Sequence, residues 1–289
     1  MLIIKIIGGL GNQMFQYAYA RMLKHKGYDV TIDISGFESY KIHHGYRLDS
    51  YAIDLEIAGK MDKDKIGIRG LTLFFEKVKR KFNMPSNKHL IEQSLLFNPS
   101  LLEPIDNQLI EGYFQSENYF LEIRELLIAQ FVLKEKLSSY SLTVLDEIHK
   151  SSVSASLHVR RGDYVNTTNI QYHGCCSLEY YYCAIRTLQE SYDEVRYFVF
   201  SDDIVWVKEH LEIENAFYVE HTSVHLEHED IYLMSQCHHH IIANSSFSWW
   251  GAWLNQRQDK VVIAPKKWFE DTLKQLQSND IIPQNWIKL

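Results

Sequence analysis

The stretch that decides the fold is residues 2–33, LIIKIIGGLGNQMFQYAYARMLKHKGYDVTID. A mainly β-branched apolar run, 2–7, leads into the glycine loop 8–11. A helical pattern then runs from Asn12 to about Lys26, and a second strand pattern spans Tyr28–Asp33. Parallel strands need a long crossover, usually a helix, so this order predicts a parallel sheet covered by helices.

A second alternating series begins near Val153. It predicts strands at 153–159, 196–200, 216–219, 239–243 and 261–264, and helices at 178–190, 203–211, 227–237 and 246–256. The fold class expected is therefore α/β, with two Rossmann-like domains, residues 1–150 and 151–289, facing across a cleft. Between residues 35 and 110 the signals are weak, and residues 110–131 are predicted to be mainly helical.

Composition narrows the classes of function. The chain has 289 residues, 46% of them hydrophobic, and a net charge of −7, which argues against a broad electrostatic hold on nucleic acid. Its amino-terminal apolar run is too short for a signal peptide or a membrane span, so we expect a cytoplasmic protein. The four cysteines do not form a disulfide pattern and are expected to be reduced.

The segment Ser156–Val165 places Arg160 and Arg161 directly behind an apolar strand. Arginine forks match phosphate oxygens in pairs, so two of them can hold a diphosphate without a metal. In a continuing strand the two side chains would point to opposite faces, and Gly162 permits the turn that brings both to one ligand. A surface strand end with ordinary ion pairs is an equally strong alternative.

Two other strand ends should join this segment, since ligands of open parallel sheets bind at the carboxyl ends of the strands. Ser201 and Asp202 are predicted to cap the helix that follows, with an additional contact to a base or ribose. A divalent metal held by Asp202 and Asp203 is the weaker alternative. The third end, Asn244-Ser245-Ser246-Phe247, opens a helix whose amides could bind an anion or simply be capped by serine.

The glycine loop Gly9-Leu10-Gly11-Asn12-Gln13-Met14 is half of a dinucleotide fingerprint, with Asp33 where an acidic ribose ligand would be expected. Met14 replaces the third glycine and argues against a nicotinamide site, and a tight turn without a ligand is an equal alternative. The amides of Asn12 and Gln13 could hydrogen-bond a sugar hydroxyl at the start of the helix, so with Asp33 they mark the predicted acceptor side.

Two further stretches carry weaker signals. The histidines at 221, 225 and 228, with Cys237–His240, match no zinc spacing, so no metal is predicted there. The basic amphipathic stretch Phe74–Lys81 could contact anionic lipid, although a solvated helix face is more common.

Taken together, four motifs resemble those of the bacterial α-1,2-fucosyltransferases, which are grouped with the α-1,6- and protein O-fucosyltransferases. The motifs are Gly9–Ala18, Gly112–Ser116, His158–Tyr164 and Ser245–Leu254. They are spread over nearly the full length of the chain.

The resemblance implies a GT-B glycosyltransferase in which the first domain binds the acceptor and the second binds GDP-β-L-fucose. It implies inverting transfer to the 2-hydroxyl of a terminal β-galactoside, with no metal and no cofactor. The acceptor would be an oligosaccharide or a lipid-linked glycan of a surface polysaccharide such as O-antigen, with peripheral contact at the cytoplasmic face of the membrane.

Carried over by motif, Arg160 would hold the diphosphate, and Arg161 would support the loop or a phosphate. His158 would approach the guanine, as would Asp230, which lies sixteen residues before Ser246. The remaining roles are a phosphate contact by Ser246 and Phe247, a fucose contact by Asn12, and either a general base or an anchor for the arginine loop in Asp163. A nicotinamide-dependent enzyme and a non-catalytic carbohydrate-binding module remain the alternatives.

Overall fold

A computed structural model of the chain describes residues 1–38, 45–67, 87–161, 174–221 and 226–289. It divides into two compact units, Met1–Lys134 and Glu135–Leu289. Every strand pair in the two sheets of the described residues is parallel, so the α/β architecture expected from the sequence is confirmed.

The first unit is built on a four-stranded sheet in the order β2-β1-β4-β3. Its elements are β1 (Leu2–Lys5), α1 (Leu10–His25), β2 (Val30–Asp33), α2 (Lys60–Lys65), β3 (His89–Ile91), β4 (Gln108–Glu111) and α3 (Arg124–Gln130). Short 3-10 helices lie at Ser35–Glu38, Leu48–Ser50, Pro99–Leu102, Glu117–Tyr119 and Leu121–Ile123.

Helix α1 is buried around most of its circumference, because it packs on the sheet and on the aromatic segment that follows β4. The ring of Tyr19 stacks on Phe114 with centroids 3.8 Å apart, and its hydroxyl donates to the carbonyl of Leu101 at 2.6 Å. This packing fixes the first turn of α1 at the carboxyl end of β1.

The second unit has a six-stranded sheet in the order β10-β9-β8-β5-β6-β7. Its strands are β5 (Ser154–Val159), β6 (Arg196–Ser201), β7 (Ala216–Tyr218), β8 (His239–Ile241), β9 (Val262–Ala264) and β10 (Ile287–Lys288). Its helices are α4 (Ser139–Lys150), α5 (Leu178–Gln189), α6 (Ile204–His210), α7 (Glu227–Gln236), α8 (Ser246–Leu254) and α9 (Thr272–Leu276). Strand β5 is central and fully buried, and all of its residues except His158 are small or apolar, as a strand covered on both faces requires.

The division between the units falls at Lys134, earlier than the boundary near residue 150 expected from the sequence. Helix α4 accounts for the difference. Its Val144 and Ile148 are buried in a cluster with Phe198 and Leu233, so the helix packs with the second unit.

The sequence prediction for residues 110–131 is wrong in part. Residues up to Glu111 belong to β4, the chain then turns, and only Arg124–Gln130 form an α-helix. Strands β3 and β4 contain only two adjacent apolar residues each, too few for periodicity to distinguish a strand from a helix, which is why they were not predicted.

No helix among the described residues is both long enough and apolar enough to span a membrane. The basic stretch Phe74–Lys81, considered above as a lipid contact, lies outside the described residues.

Candidate functional site

The register of β5 and β6 pairs the two arginines with two carboxylates. Val159 lies opposite Ser201 in the parallel ladder, so the next residues along each strand continue the same order. Arg160 Nη1 lies 2.9 Å from Asp202 Oδ2. Arg161 Nε lies 3.5 Å from Asp203 Oδ2. Both ion pairs therefore sit at the carboxyl edge of the sheet, where ligands of parallel sheets bind.

Asp202 also holds the backbone of Arg161. Its Oδ1 accepts a hydrogen bond of 2.8 Å from the backbone N–H of Arg161. The side chains of Arg160 and Arg161 are 25% and 22% exposed. The ion pairs that the alternative interpretation predicted are present, but they orient both arginines at one strand edge and leave part of each side chain accessible.

The capping predicted for Ser201 and Asp202 needs correction. Helix α6 is capped by Asp203, which accepts the backbone N–H of Trp206 at 3.2 Å. Ser201 Oγ accepts the N–H of Asp203 at 3.0 Å, just before the helix begins. Asp202 instead contacts the side chain of Arg160 and the backbone of Arg161, because its own side chain points toward β5.

His158 lies at the end of β5 and is 4% exposed. Burial lowers its pKa to about 3, with Asp202 opposing the shift and Arg160 adding to it. The imidazole is therefore neutral near pH 7. Its ring lies 5.5 Å from that of Phe247, and no described residue hydrogen-bonds its buried Nδ1. It is available as a neutral hydrogen-bonding group beside the arginines.

At the third strand end, residues 244–247, two residues are used in internal hydrogen bonds and two are partly accessible. Asn244 is buried, and its Nδ2 donates to the carbonyls of Gly174 and Trp268 at 3.2 and 3.1 Å. Ser245 caps α8 by accepting the N–H of Phe247 at 3.3 Å. Ser246 and Phe247, in the first turn of α8, are half-buried. The latter two residues are better placed to touch a ligand than the former two, which were predicted alongside them.

Asp230, on α7, lies in a pair that the sequence did not indicate. His221 Nε2 lies 2.7 Å from Asp230 Oδ1. This hydrogen bond raises the pKa of His221, since the carboxylate favours the protonated ring. A guanine contact by Asp230 remains a prediction, and any such contact has to accommodate the histidine.

In the first unit, Asn12 and Asp33, both predicted to lie on the acceptor side, make hydrogen bonds to different kinds of partner. Asn12 Oδ1 accepts from Gln115 Nε2 at 2.7 Å, and Asn12 itself is only half-buried. Asp33 accepts from Lys63 Nζ at 2.7 Å and from the N–H of Ser35 at 3.0 Å. Burial alone would raise the pKa of Asp33, but these hydrogen bonds leave it below its usual value. Asp33 therefore ties β2 to α2 as a paired carboxylate.

Gln13 was predicted to face a sugar, and the structure gives it an internal role instead. Its side chain is completely buried. The amide donates to the carbonyls of Gly8 and Gly45 at 2.9 and 2.8 Å and accepts the N–H of Arg47 at 2.9 Å. A helical side chain in the first turn can face the loop it follows as well as a ligand, and the sequence does not distinguish the two.

We therefore expect Gln13→Leu to destabilise the first unit by about 1–3 kcal/mol, because it strands buried backbone groups. Asn12→Ala is the matched control one residue away, and it should lower activity with little loss of stability. Thermal unfolding of the two variants, and their rates in the transfer reaction that the resemblance implies, separate these effects. A stable but inactive Gln13→Leu protein would restore the substrate role.

The sequence missed two residues at these edges. Trp206 lies against Arg161, and Gln115 lies against Asn12. Gln115 belongs to the motif Gly112–Ser116, so the sequence identified the segment but assigned no role to this residue. Asp163, the first guess for a general base, lies outside the described residues.

Comparison with known proteins bears on this arrangement. The chain matches glycosyl transferase family 11 over residues 102–289. It is 36% identical to an alpha-1,2-colitosyltransferase of Escherichia coli, over 100% of this chain and 99% of that protein. It is 28% identical to a galactoside 2-alpha-L-fucosyltransferase of Caenorhabditis elegans, over 63% of this chain and 52% of that protein.

Among solved structures, the fucosyltransferase NodZ from Bradyrhizobium resembles the chain with a TM-score of 0.54 at 15% identity. The match covers 87% of this chain and 92% of that one, and it supports the GT-B-like α/β fold. The chain belongs to glycosyl transferase family 11 and is a glycosyltransferase.

Proposed function

We propose that the enzyme transfers L-fucose from GDP-β-L-fucose to the 2-hydroxyl of a terminal β-galactoside, forming an α-1,2 linkage with inversion. The observation that carries the proposal is the pair of arginines at the carboxyl edge of β5 and β6, each matched by register to a carboxylate. The acceptor would be an oligosaccharide or a lipid-linked glycan of a surface polysaccharide, met at the cytoplasmic face of the membrane.

The chemistry follows from the movement of charge. As the bond from C1 of fucose to the phosphate oxygen breaks, positive charge develops on the sugar ring and negative charge on the departing GDP. Groups aimed at the developing negative charge stabilise the transition state more than the ground state, and so raise the rate. Attack by the galactose 2-hydroxyl from the opposite side converts the β linkage of the donor into an α linkage.

The ion pairs with Asp202 and Asp203 are compatible with this role. A guanidinium has five N–H donors, more than a single carboxylate contact uses. The carboxylates restrict the side-chain rotamers before the donor arrives, so less entropy is lost when phosphate oxygens are bound. Because the four side chains together are electrically neutral, directed hydrogen bonds rather than net charge should dominate binding.

Other groups near these arginines fit parts of the nucleotide. The first turn of α8, where Ser246 and Phe247 are half-buried, is the positive end of a helix and suits a phosphate. Neutral His158 can donate to or accept from a base edge, which a charged imidazole could not do as well. We assign Asp230 to the guanine, and Asn12 in the first unit to the sugar side.

Identification of the base that removes the proton from the acceptor hydroxyl rests on sequence alone. Asp163 is proposed because it follows the arginine pair closely in the chain. A pH–rate profile of Asp163→Asn that loses its acidic limb would support the assignment, and an unchanged profile would refute it.

We expect full activity in excess EDTA. Two guanidinium groups can donate several directed hydrogen bonds to the leaving diphosphate, so a divalent cation is not needed for that step. Transfer rates measured with EDTA and with added Mg²⁺ or Mn²⁺ test this. A strong metal requirement would return Asp202 and Asp203 to the role of metal ligands.

The 36% sequence identity to a colitosyltransferase raises a second candidate for the donor sugar, colitose, which the same reaction would transfer. Colitose is fucose without its 3-hydroxyl. A site that hydrogen-bonds this hydroxyl rejects the deoxy sugar by several orders of magnitude, whereas a site without such a contact discriminates weakly. The ratio of kcat/KM for GDP-fucose and GDP-colitose decides between the two donors. A preference for GDP-colitose would show that the proposed donor is wrong and would leave the proposed reaction type unchanged.

The most informative experiment is product analysis after incubation of GDP-fucose with a panel of β-1,3- and β-1,4-linked galactosides. We expect release of GDP and an α-1,2-fucosylated product. Thermal melting with GDP or NAD is the companion measurement, since a ligand that binds only the folded state raises its stability. Stabilisation by NAD and not by GDP would favour a nicotinamide enzyme. Binding of sugar without GDP release would favour a carbohydrate-binding module.

A further inference from the structure

The guanidinium of Arg161 lies against an aromatic ring. Its central carbon is 3.6 Å from the ring centroid of Trp206, in the first turn of α6. A cation at this distance over an indole is attracted by the negative charge of the ring face, and tryptophan gives the strongest such contact. The planar guanidinium is thereby held in one orientation.

Asp203 completes a closed triangle with these two residues. One carboxylate oxygen accepts the N–H of Trp206 and so fixes the start of α6. The other lies 3.5 Å from Arg161 Nε, an atom that is buried and donates no hydrogen bond to a described residue. The ion pair alone is therefore loose, and the indole supplies the contact that determines where the guanidinium plane lies.

The indole is itself supported by its own helix. The ring of His210, one turn later, stacks on Trp206 with centroids 4.6 Å apart and planes 11° from parallel. His210 Nδ1 is 2.9 Å from the Trp206 carbonyl, which fixes the imidazole in that position. Trp206 packs against the core of the second unit but is only half-buried, so core packing does not account for the whole of the indole.

We infer that Trp206 is a positioning residue for the donor diphosphate, acting through Arg161. Resting on the proposed function, this assigns to the indole the task of keeping the Arg161 fork at the strand edge, where it can meet phosphate oxygens. The benefit is an ordered cation whose rotamer freedom is lost before binding rather than during it.

A double-mutant cycle on GDP affinity tests the inference. The full-length chain and its W206L, R161A and W206L/R161A variants are compared by calorimetry with GDP. W206L should weaken GDP binding about tenfold, equivalent to about 1.4 kcal/mol. In the R161A background the same change should have no further effect, because the group through which it acts is gone. Additive losses, or no loss in W206L, would overturn the inference.

Steady-state kinetics distinguish positioning from a general structural role. We expect W206L to raise KM for GDP-fucose while leaving KM for the galactoside unchanged, and W206F, which keeps an aromatic face, to restore donor affinity to within about threefold of the wild-type value. If W206L does not fold, W206F and W206M in the wild-type and R161A backgrounds give the same cycle. Equal affinities of the Phe and Met variants would refute the role of the ring.

The two proposals fail in different ways. If the wild-type chain does not bind GDP at all, the proposed donor is wrong. If it binds GDP and the cycle is additive, the donor stands and only the role of Trp206 is wrong.

Discussion

Replacing Arg160 with alanine should lower kcat/KM for fucose transfer by about 10²–10³-fold, the effect of removing one preorganised electrostatic donor, or about 2.7 to 4 kcal/mol. Arg160 is the residue directly beyond the central strand β5, and its 2.9 Å contact with Asp202 sets its orientation. The loss should appear mainly in kcat, because the negative charge on GDP develops as the bond breaks. Initial rates over a range of GDP-fucose concentrations measure both parameters.

Two further variants give this prediction its controls. Arg160→Lys keeps the charge but not the planar fork, so it should recover only part of the activity. Arg257→Ala removes another aspartate-paired arginine of the same unit, which bonds Asp259 at 3.0 Å before β9, at the opposite edge of the sheet. That variant should transfer fucose at the wild-type rate. Near-normal turnover in Arg160→Ala would contradict the proposed role of the arginine.

Acidification should destabilise the second unit strongly. His158 has its pKa lowered to about 3 by burial, and burial also holds the pKa of His240 well below the usual value. Both rings take up protons more readily in the unfolded chain. The stability linked to them is therefore present above pH 6.5 and is lost as the pH falls toward their folded pKa values. From pH 6.5 to 5 each should lower the free energy of unfolding by about 2 kcal/mol.

The arrangement around His240 explains its neutral form. Its Nε2 lies 2.7 Å from Asn255 Nδ2, which must donate, and its Nδ1 lies 2.8 Å from Ser156 Oγ. A proton on Nε2 would break the first of these hydrogen bonds inside the core. His221, whose pKa is raised by Asp230, acts in the opposite sense and offsets part of the loss.

Urea unfolding at pH 7.5 and pH 5, in the wild-type protein and His240→Gln, measures this effect. All six tryptophans lie between residues 206 and 286, so their fluorescence reports on the second unit alone. The variant should be less stable at pH 7.5 but should lose about 2 kcal/mol less on acidification. His149→Gln, on the exposed side of α4 in the same unit, is the control and should behave as the wild-type protein does. An identical pH dependence in His240→Gln would refute the linkage.

The sequence predicted five of the six strands of the second sheet, β5 to β9, because a recognisable helix follows each of the first four, while β10 and α9 were not predicted. Strand β5 and helix α5 begin and end within a residue or so of the predicted positions. Strands β3 and β4 were missed, since three or four residues give too short a pattern for the period to be recognised. The domain boundary was placed late because α4 precedes the first strand that it covers, and order along the chain does not reveal which sheet a helix packs against.

Part of the candidate site could likewise be predicted from the sequence, and part of it could not. The arginine pair, His158 and the start of α8 could be located from residue type and from their position after a strand. Asp202 was also placed at this edge, but its pairing with Arg160 could not be predicted and Trp206 was missed, since these residues are some forty positions from the arginines in the chain. Gln13 and Asp33 were assigned to a substrate because a polar side chain near a glycine loop has the same sequence signal whether it binds a sugar or a backbone carbonyl.

Most strands and helices of the second unit, the residues that end those strands, and the family to which the motifs are similar could be predicted from the chain alone. These properties depend on local periodicity and on residue chemistry, both of which can be recognised along the chain. Only the tertiary structure decided which carboxylate meets which arginine, which amides are buried, and which ring orients a cation. Those contacts depend on strand register and side-chain packing, which join residues that are distant in the chain.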